Sequence, residues 1–143
     1  MAEVFTSVAS LDDDRFFELL SKVVFYTGFH RGVVERKWEH FQTAFCGFAI
    51  VKVAEFDETD VERLLAKDSP IVKNARKVMA TVHNAKVCRQ LVIDHGSMAQ
   101  FLQAVLAQQN RNLEGAFKRA FELVGESAAH SLLLDLRGAA ILI

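Results

Sequence analysis

The sequence contains few of the residues that break helices, with one proline and seven glycines among 143 residues. It also lacks any apolar run close to the ~20 residues that cross a bilayer, so we expect no membrane partner. Cysteine is scarce: Cys46 and Cys88 stand far apart and outside any metal-ligand spacing, which predicts two free thiols in a reducing compartment. Residues 1–14 have no basic start followed by an apolar stretch, so no secretory signal is expected. These absences predict a cytoplasmic protein.

The net charge is also close to zero, because the sequence has 17 basic and 18 acidic residues. This balance excludes a protein that coats nucleic acid through overall positive charge, but it is compatible with a local basic patch. Hydrophobic residues make up 51% of the chain, which excludes intrinsic disorder. The length suits a single domain over residues 1–143.

Helical periodicity runs along most of the chain. Asp12, Asp13 and Asp14 predict a helix N-terminus, where carboxylates interact favourably with the helix dipole. Apolar stripes and capping residues predict further helices at about 34–45, 57–65, 73–93, 97–105, 113–124 and 127–136. Residues 50–53 are ambiguous and could be extended. The pattern therefore predicts an all-α fold of about seven helices.

Charge is distributed unevenly around Pro70, in the turn between two predicted helices. Residues 55–66 carry five carboxylates and one arginine, a net charge of -4, whereas residues 67–89 carry six basic residues and one aspartate, a net charge of +5. A basic loop that leads into a helix N-terminus suits phosphate, because backbone N–H groups and cations face the anion together. The alternative is an ordinary solvated helix of mixed charge.

Three segments of the sequence resemble the DNA-3-methyladenine glycosylase I family. They are RFFELLSKVVFYTGFHRGVVERKW with its continuation to Leu65, then KDSPIVKNARKVMATVHNAK, and near the end FKRAFELVGESAAHSLL. The resemblance covers about residues 11–136. It implies a bundle of the helix-hairpin-helix DNA glycosylase type, with the helix-hairpin-helix at about 57–93. It also implies action on double-stranded DNA with a damaged base. We expect a monomer in the cytoplasm, associated with the nucleoid in a prokaryote.

The same resemblance implies two groups of site residues. The positions that match DNA-backbone contacts are Ser69, Lys73, Asn74, Arg76 and Lys77. The positions that match the base pocket are Phe25, Tyr26, Phe29, Arg31 and Trp38. Core packing is the alternative for the pocket aromatics, above all for Trp38, which falls on a buried stripe.

Several positions depart from the better-known members of the family. The glutamate that holds the methylated purine there falls on Val23, and a pocket tryptophan falls on Arg31. The terminal cysteines that bind their structural zinc have no counterpart, so we expect no metal and no other cofactor. Glu35 and His30 are the polar groups left near the pocket, and they are candidates for catalysis. Surface charge and a helix cap are the respective alternatives.

Three functions follow as hypotheses. The first is a base-excision repair glycosylase that flips an alkylated, 3-methyladenine-like base and hydrolyses its N-glycosidic bond. The second is a non-catalytic module on the same scaffold that binds distorted or abasic DNA. The third is a small helical interaction protein, suggested by Leu132, Leu133, Leu134 and the apolar tail at 139–143.

Overall fold

A computed structural model of the chain describes residues 11–28, 30–109 and 112–139, and the regular structure within these ranges is entirely helical. The helices are α1 (Asp13–Tyr26), α2 (Arg31–Arg36), α3 (Trp38–Ala44), α4 (Ile50–Ala54), α5 (Glu58–Leu64), α6 (Ala75–His95), α7 (Met98–Leu106), α8 (Leu113–Ala120) and α9 (Glu126–Ala139). A short 3-10 turn, Cys46–Phe48, joins α3 to α4. The all-α prediction is confirmed. No helix within the described ranges is long and apolar enough to cross a membrane.

The described residues form nine α-helices, two more than the sequence predicts. The helix predicted over 34–45 is divided at Lys37, whose backbone angles of φ -100° and ψ 5° interrupt it between α2 and α3. The ambiguous residues 50–53 belong to the helix α4. The helix predicted over 113–124 ends early, because Phe121 has extended angles. The apolar residues of the predicted stripe still face the core on both sides of the break at Lys37, since Val34 and Phe41 are both buried.

Local capping signals account for several helix ends. Asp57 and Asp60 form a reciprocal capping box at the start of α5, with both side-chain to backbone distances at 3.0 Å. Gly96 ends α6 with a φ of +98°, and its N–H donates to the carbonyl oxygen of Val92. Ser97 then caps α7. The helix starts predicted near residues 57 and 97 are therefore confirmed.

The three consecutive aspartates accept hydrogen bonds from backbone N–H groups at the starts of three different helices. Asp12 caps α1. Asp13 accepts a hydrogen bond from the backbone N–H of Met98, the first residue of α7, at 2.8 Å. Asp14 accepts one from the N–H of Ile50, the first residue of α4, at 3.0 Å. The starts of α4 and α7 therefore lie beside the start of α1.

A phenylalanine-rich core joins the bundle. The fully buried rings are Phe16, Phe17, Phe25, Phe41, Phe45, Phe48 and Phe117. Each buried side chain of this size contributes roughly 1.5–3 kcal/mol relative to an exposed one. The long helix α6 contacts α1, α4, α5 and α7, so the core fixes α6 against α1.

The leucine-rich segment of α9 packs mainly inward. Leu132 is buried, Leu133 is partly buried, and Leu134 is 50% exposed. Residues 140–143 of the apolar tail lie outside the described residues. Most of this leucine run is therefore explained by the core of the chain itself.

Candidate nucleic-acid interface and base pocket

The basic segment forms a hairpin between two helices, as the sequence predicts. We use the name hairpin for α5, the loop at 65–74 and the first turn of α6. Ile71 and Val72 anchor the loop, because both side chains are buried in the core, while Pro70 is exposed. Asn74 caps α6: its Oδ1 accepts a hydrogen bond from the backbone N–H of Lys77 at 3.0 Å. The loop of the hairpin is therefore fixed in place by two side chains that are buried in the core.

The predicted backbone contacts take different places on this hairpin. Lys73 and Arg76 are exposed on either side of the first residue of α6. Ser69 is partly buried, and its N–H donates to the carbonyl oxygen of Ala66 at 3.0 Å. The N-terminus of the 21-residue α6 adds the positive end of a helix dipole. Two exposed cations thus lie within two residues of a helix N-terminus, an arrangement that suits a DNA phosphate.

Lys77 lies apart from the exposed cations, because its side chain is only 8% exposed. Its Nζ donates to the carbonyl oxygen of Phe25 at 3.0 Å and to that of Thr27. Burial lowers the pKa of this ammonium below its ordinary value. The structure therefore places Lys77 inside the protein, where it joins the hairpin to the C-terminal end of α1.

The segment at the end of α1 lines a small cavity next to this junction. We call residues 23–31 the pocket strip. The cavity has a volume of about 250 Å³ and is lined by Val23, Tyr26, Thr27, Gly28, Arg31, Ser127, Ala128 and Ser131. Ligand sites for drug-sized molecules span roughly 300–1,000 Å³, so this cavity suits one small group such as a single base. The predicted strip thus meets the start of α9, which the sequence did not assign to the pocket.

Three side chains of the strip and α2 form a polar cluster beside the cavity. The guanidinium of Arg31 lies 4.5 Å from the ring centroid of Tyr26. The hydroxyl of Tyr26 donates to Glu35 Oε1 at 3.1 Å, and Arg31 Nε lies 3.8 Å from the same oxygen. Burial and the neighbouring Glu35 raise the pKa of Tyr26. Tyr26, Arg31 and Glu35 also line a second, more polar cavity of about 420 Å³, with Arg15, Lys22 and Asp135.

Two residues assigned to the base pocket lie in the core instead. Phe25 is 1% exposed, with its ring centroid 4.6 Å from that of Phe41. Trp38 is 8% exposed and stacks on Phe48, with ring centroids 5.2 Å apart and planes 5° apart. Neither side chain lines the cavity at the strip. Phe29 lies outside the described residues.

The two candidates for catalysis are exposed. His30 precedes α2 at the N-cap position, and its side chain makes no capping hydrogen bond. Glu35 touches Tyr26 and Arg31 beside the cavity, with its side chain 56% exposed. The structure therefore brings Glu35, but not His30, into the cluster with Tyr26.

Glu18 is a polar anchor of this region that sequence reasoning missed. Its carboxylate accepts hydrogen bonds from Trp38 Nε1 at 2.9 Å, from Gln42 Nε2 at 2.8 Å and from Arg15 at 2.8 Å. The available signal was its position in α1, where it follows two buried phenylalanines and precedes two buried leucines. The buried indole of Trp38 thus keeps a partner for its N–H, as buried tryptophans usually do.

An apolar groove between α5 and α6 is larger, at about 630 Å³, but differs in chemistry. Its floor includes Phe56, Val61 and Val82, and its α5 side carries Asp57, Glu58 and Glu62. These carboxylates would repel a DNA phosphate, so the groove does not extend the basic face. Within the described part of the chain, no group of three or more His, Cys, Asp or Glu side chains is placed to hold a metal ion.

The chain is similar to known DNA glycosylases in sequence and in fold. The family model for methyladenine glycosylases matches residues 6–140. DNA-3-methyladenine glycosylase 1 of Escherichia coli (strain K12) is 32% identical over 84 residues, which cover 59% of this chain and 44% of that protein. The matched region therefore spans less than half the length of this curated relative.

Two solved structures have the same fold. One is 3-methyladenine DNA glycosylase I from Staphylococcus aureus, with a TM-score of 0.72 and 23% identity over 85% of this chain and 74% of that chain. The other is a solution structure of a 3-methyladenine DNA glycosylase I, with a TM-score of 0.70 and 26% identity over 85% of this chain and 75% of that chain. Both likenesses agree with the all-α fold of this chain.

Proposed function

Because this chain belongs to the methyladenine glycosylase family, we propose that it is a DNA base-excision repair glycosylase. The hairpin binds the phosphates of double-stranded DNA through Lys73 and Arg76. A damaged, alkylated base turns out of the duplex into the cavity at the pocket strip. Water then hydrolyses the N-glycosidic bond between that base and its deoxyribose.

The observation that carries this proposal is the direct connection between hairpin and cavity. Lys77 follows Arg76 in the first turn of α6, and its Nζ holds the carbonyl oxygens of Phe25 and Thr27. A duplex bound at the hairpin therefore lies next to the strip that lines the cavity. Base flipping needs this proximity, because the base moves while its neighbouring phosphates stay bound.

The cluster beside the cavity supports base binding and hydrolysis. The partly buried Tyr26 ring offers a stacking surface, and stacking on an aromatic side chain contributes roughly 1–3 kcal/mol per base. Glu35 is the carboxylate nearest to Tyr26, and we assign it the task of orienting the attacking water. His30 remains a second candidate for that task, because it lies exposed at the start of α2.

A second function is favoured by Val23 and Arg31. Val23 is 2% exposed and apolar where better-known members of the family have a glutamate, and Arg31 adds a positive charge to the cavity. A scaffold without a catalytic acid would still bind DNA through the hairpin. The alternative is therefore a non-catalytic module that recognises distorted or abasic DNA.

A single-turnover assay distinguishes the two functions. Duplexes that each contain one methylated, etheno-bridged or deaminated base are incubated with excess protein, and the free base is measured, with the undamaged duplex as the control. The glycosylase predicts release from at least one damaged duplex. Salt-dependent binding to all of them, with no release from any, would establish the non-catalytic module instead.

We place the protein in the cytoplasm, at the nucleoid in a prokaryote, and expect it to act as a monomer. Leu132, on the leucine run that suggested an interaction protein, is buried within the chain's own core. Sedimentation equilibrium over a hundredfold range of concentration tests the monomer. A mass that increases with concentration would contradict it.

A further inference from the structure

The cavity at the pocket strip has an unusual charge for a pocket that receives a base. Among the described residues that line it, Arg31 is the one charged side chain, and none carries a carboxylate. The other polar groups are the hydroxyls of Tyr26, Thr27, Ser127 and Ser131. Thr27 already donates its hydroxyl to the carbonyl oxygen of Val23 at 2.8 Å. The cavity therefore presents a cation and neutral hydroxyls to its occupant.

None of the other described residues that line this cavity offsets the charge of Arg31. Val23, at 2% exposed, contributes only apolar surface to the cavity. Glu35 lies outside this lining, on the adjoining larger cavity, and its carboxylate is 3.8 Å from Arg31 Nε. Because both side chains are more than half exposed, this ion pair offsets the charge of Arg31 only weakly. A base whose nucleoside carries a fixed positive charge would meet a like charge here, which is unfavourable.

The same cation has the opposite effect on a base whose nucleoside is neutral. When its N-glycosidic bond breaks, the bonding electron pair leaves with the base, which becomes an anion until it takes a proton from solvent. The oxygen of water forms the new bond to C1′ and loses a proton to solvent. A guanidinium already in the cavity stabilises the negative charge that develops on the departing base. A cationic nucleoside releases a neutral base, so no negative charge develops on that base for the guanidinium to stabilise.

We propose that Arg31 is a specificity-determining residue that makes this cavity select damaged bases with neutral nucleosides over those with cationic nucleosides. This inference rests on the proposed use of the cavity as a base pocket. The substrate class consists of neutral modified bases with acceptor atoms on the edge that faces Arg31, such as etheno-adenine, O6-alkylguanine or hypoxanthine.

The test compares matched duplexes that differ in one base. 7-Methylguanine supplies the cationic nucleoside, and etheno-adenine, O6-methylguanine and hypoxanthine supply the neutral ones. Dissociation constants and single-turnover release are measured for the wild type and for Arg31→Gln. Arg36→Gln is the control, because Arg36 is an exposed arginine on the same helix and is not part of the described lining.

For the wild type we expect tighter binding of at least one neutral lesion than of 7-methylguanine. In Arg31→Gln this preference should fall about 10-fold, the ratio that one charge contact of modest strength provides, while Arg36→Gln should retain it. The inference is overturned by wild-type preference for the cationic lesion, or by an unchanged preference in Arg31→Gln. Absence of base release from every duplex would refute the glycosylase, yet the ratios of dissociation constants would still decide the role of Arg31.

Discussion

The hairpin and the pocket strip meet at Lys77, but they follow the chemistry of the family to different degrees. The hairpin joins α5, with its capping box, to the long helix α6 through a basic turn, which is the arrangement expected of the helix-hairpin-helix that the resemblance implies. In the strip, Val23 and Arg31 stand where the resemblance implies an acid and an aromatic residue. Binding of DNA phosphates requires only cations and helix N–H groups, which many sequences can supply. Choice of a base requires particular groups at particular points, so it depends on the exact residues of the strip.

The two regions also differ in how they are held. Lys73 lies on a loop that is anchored by the buried Ile71 and Val72, and Arg76 lies in the first turn of α6. The strip is fixed by backbone carbonyls that accept hydrogen bonds from the buried Lys77. Substitutions at the hairpin surface should therefore affect binding with little effect on folding. Substitutions at the junction should affect folding as well.

The largest effect is expected from reversing the charges of the hairpin. Lys73→Glu/Arg76→Glu should weaken binding of every duplex, damaged or not, on the order of 100-fold, because two phosphate contacts become repulsive. The slope of log affinity against log salt should become shallower by about 2. Fluorescence anisotropy over a range of salt concentrations measures both. Lys52→Glu/Lys86→Glu is the matched control, since these exposed lysines lie on α4 and further along α6. Equal losses in the two double variants would mean that the hairpin is not the DNA site.

An intermediate effect is expected where the two regions join. Lys77→Met should lower the free energy of unfolding by roughly 1.5–3 kcal/mol, because two carbonyl oxygens lose a charged hydrogen-bond donor. Urea denaturation measures the loss. Lys86→Met, an exposed lysine on the same helix, should change stability by no more than about 0.5 kcal/mol. If Lys77→Met were as stable as the control, the junction would not hold the strip.

The smallest effect is expected at Glu18, behind the strip. Burial opposes the charge on Glu18, but hydrogen bonds from Gln42, Trp38 and Arg15 outweigh it and lower the pKa of this carboxyl from 4.5. A carboxyl with a lower pKa in the folded chain stabilises the fold above its unfolded pKa and loses that contribution as the pH falls through its folded pKa. Glu18→Gln should therefore cost about 1 kcal/mol at neutral pH, and the difference from the wild type should shrink below pH 4.5.

Urea titrations at several values of pH test the Glu18 prediction. Glu39→Gln, which changes an exposed carboxylate on α3, is the control and should follow the wild type throughout. A difference between Glu18→Gln and the wild type that stays constant across the acid range would contradict the assignment.

Sequence reasoning located the hairpin well because its signals are local. Asp57 and Asp60 lie three residues apart, and Pro70 marks the turn, so neighbours along the chain determine the structure. The pocket was harder, since its walls come from distant segments. Ser127, Ala128 and Ser131 line the cavity from α9, about a hundred residues after Val23, and no local pattern connects them. The separation of Trp38 and Phe25 from the cavity also depended on packing, because spacing alone allows an aromatic residue to face a core or a pocket.

By itself, the sequence determined the helical class, most helix ends, the basic turn and the family, because periodicity, capping and motif matches are properties of neighbouring residues. Only the tertiary structure decided what the polar groups do. In the folded chain, Asp13 and Asp14 accept hydrogen bonds at the starts of two other helices. Lys77 is buried and donates hydrogen bonds to backbone carbonyl oxygens of the strip. A charged group acquires its function from the partner that folding brings to it. Local periodicity specifies a helix face but not which distant group will meet that face.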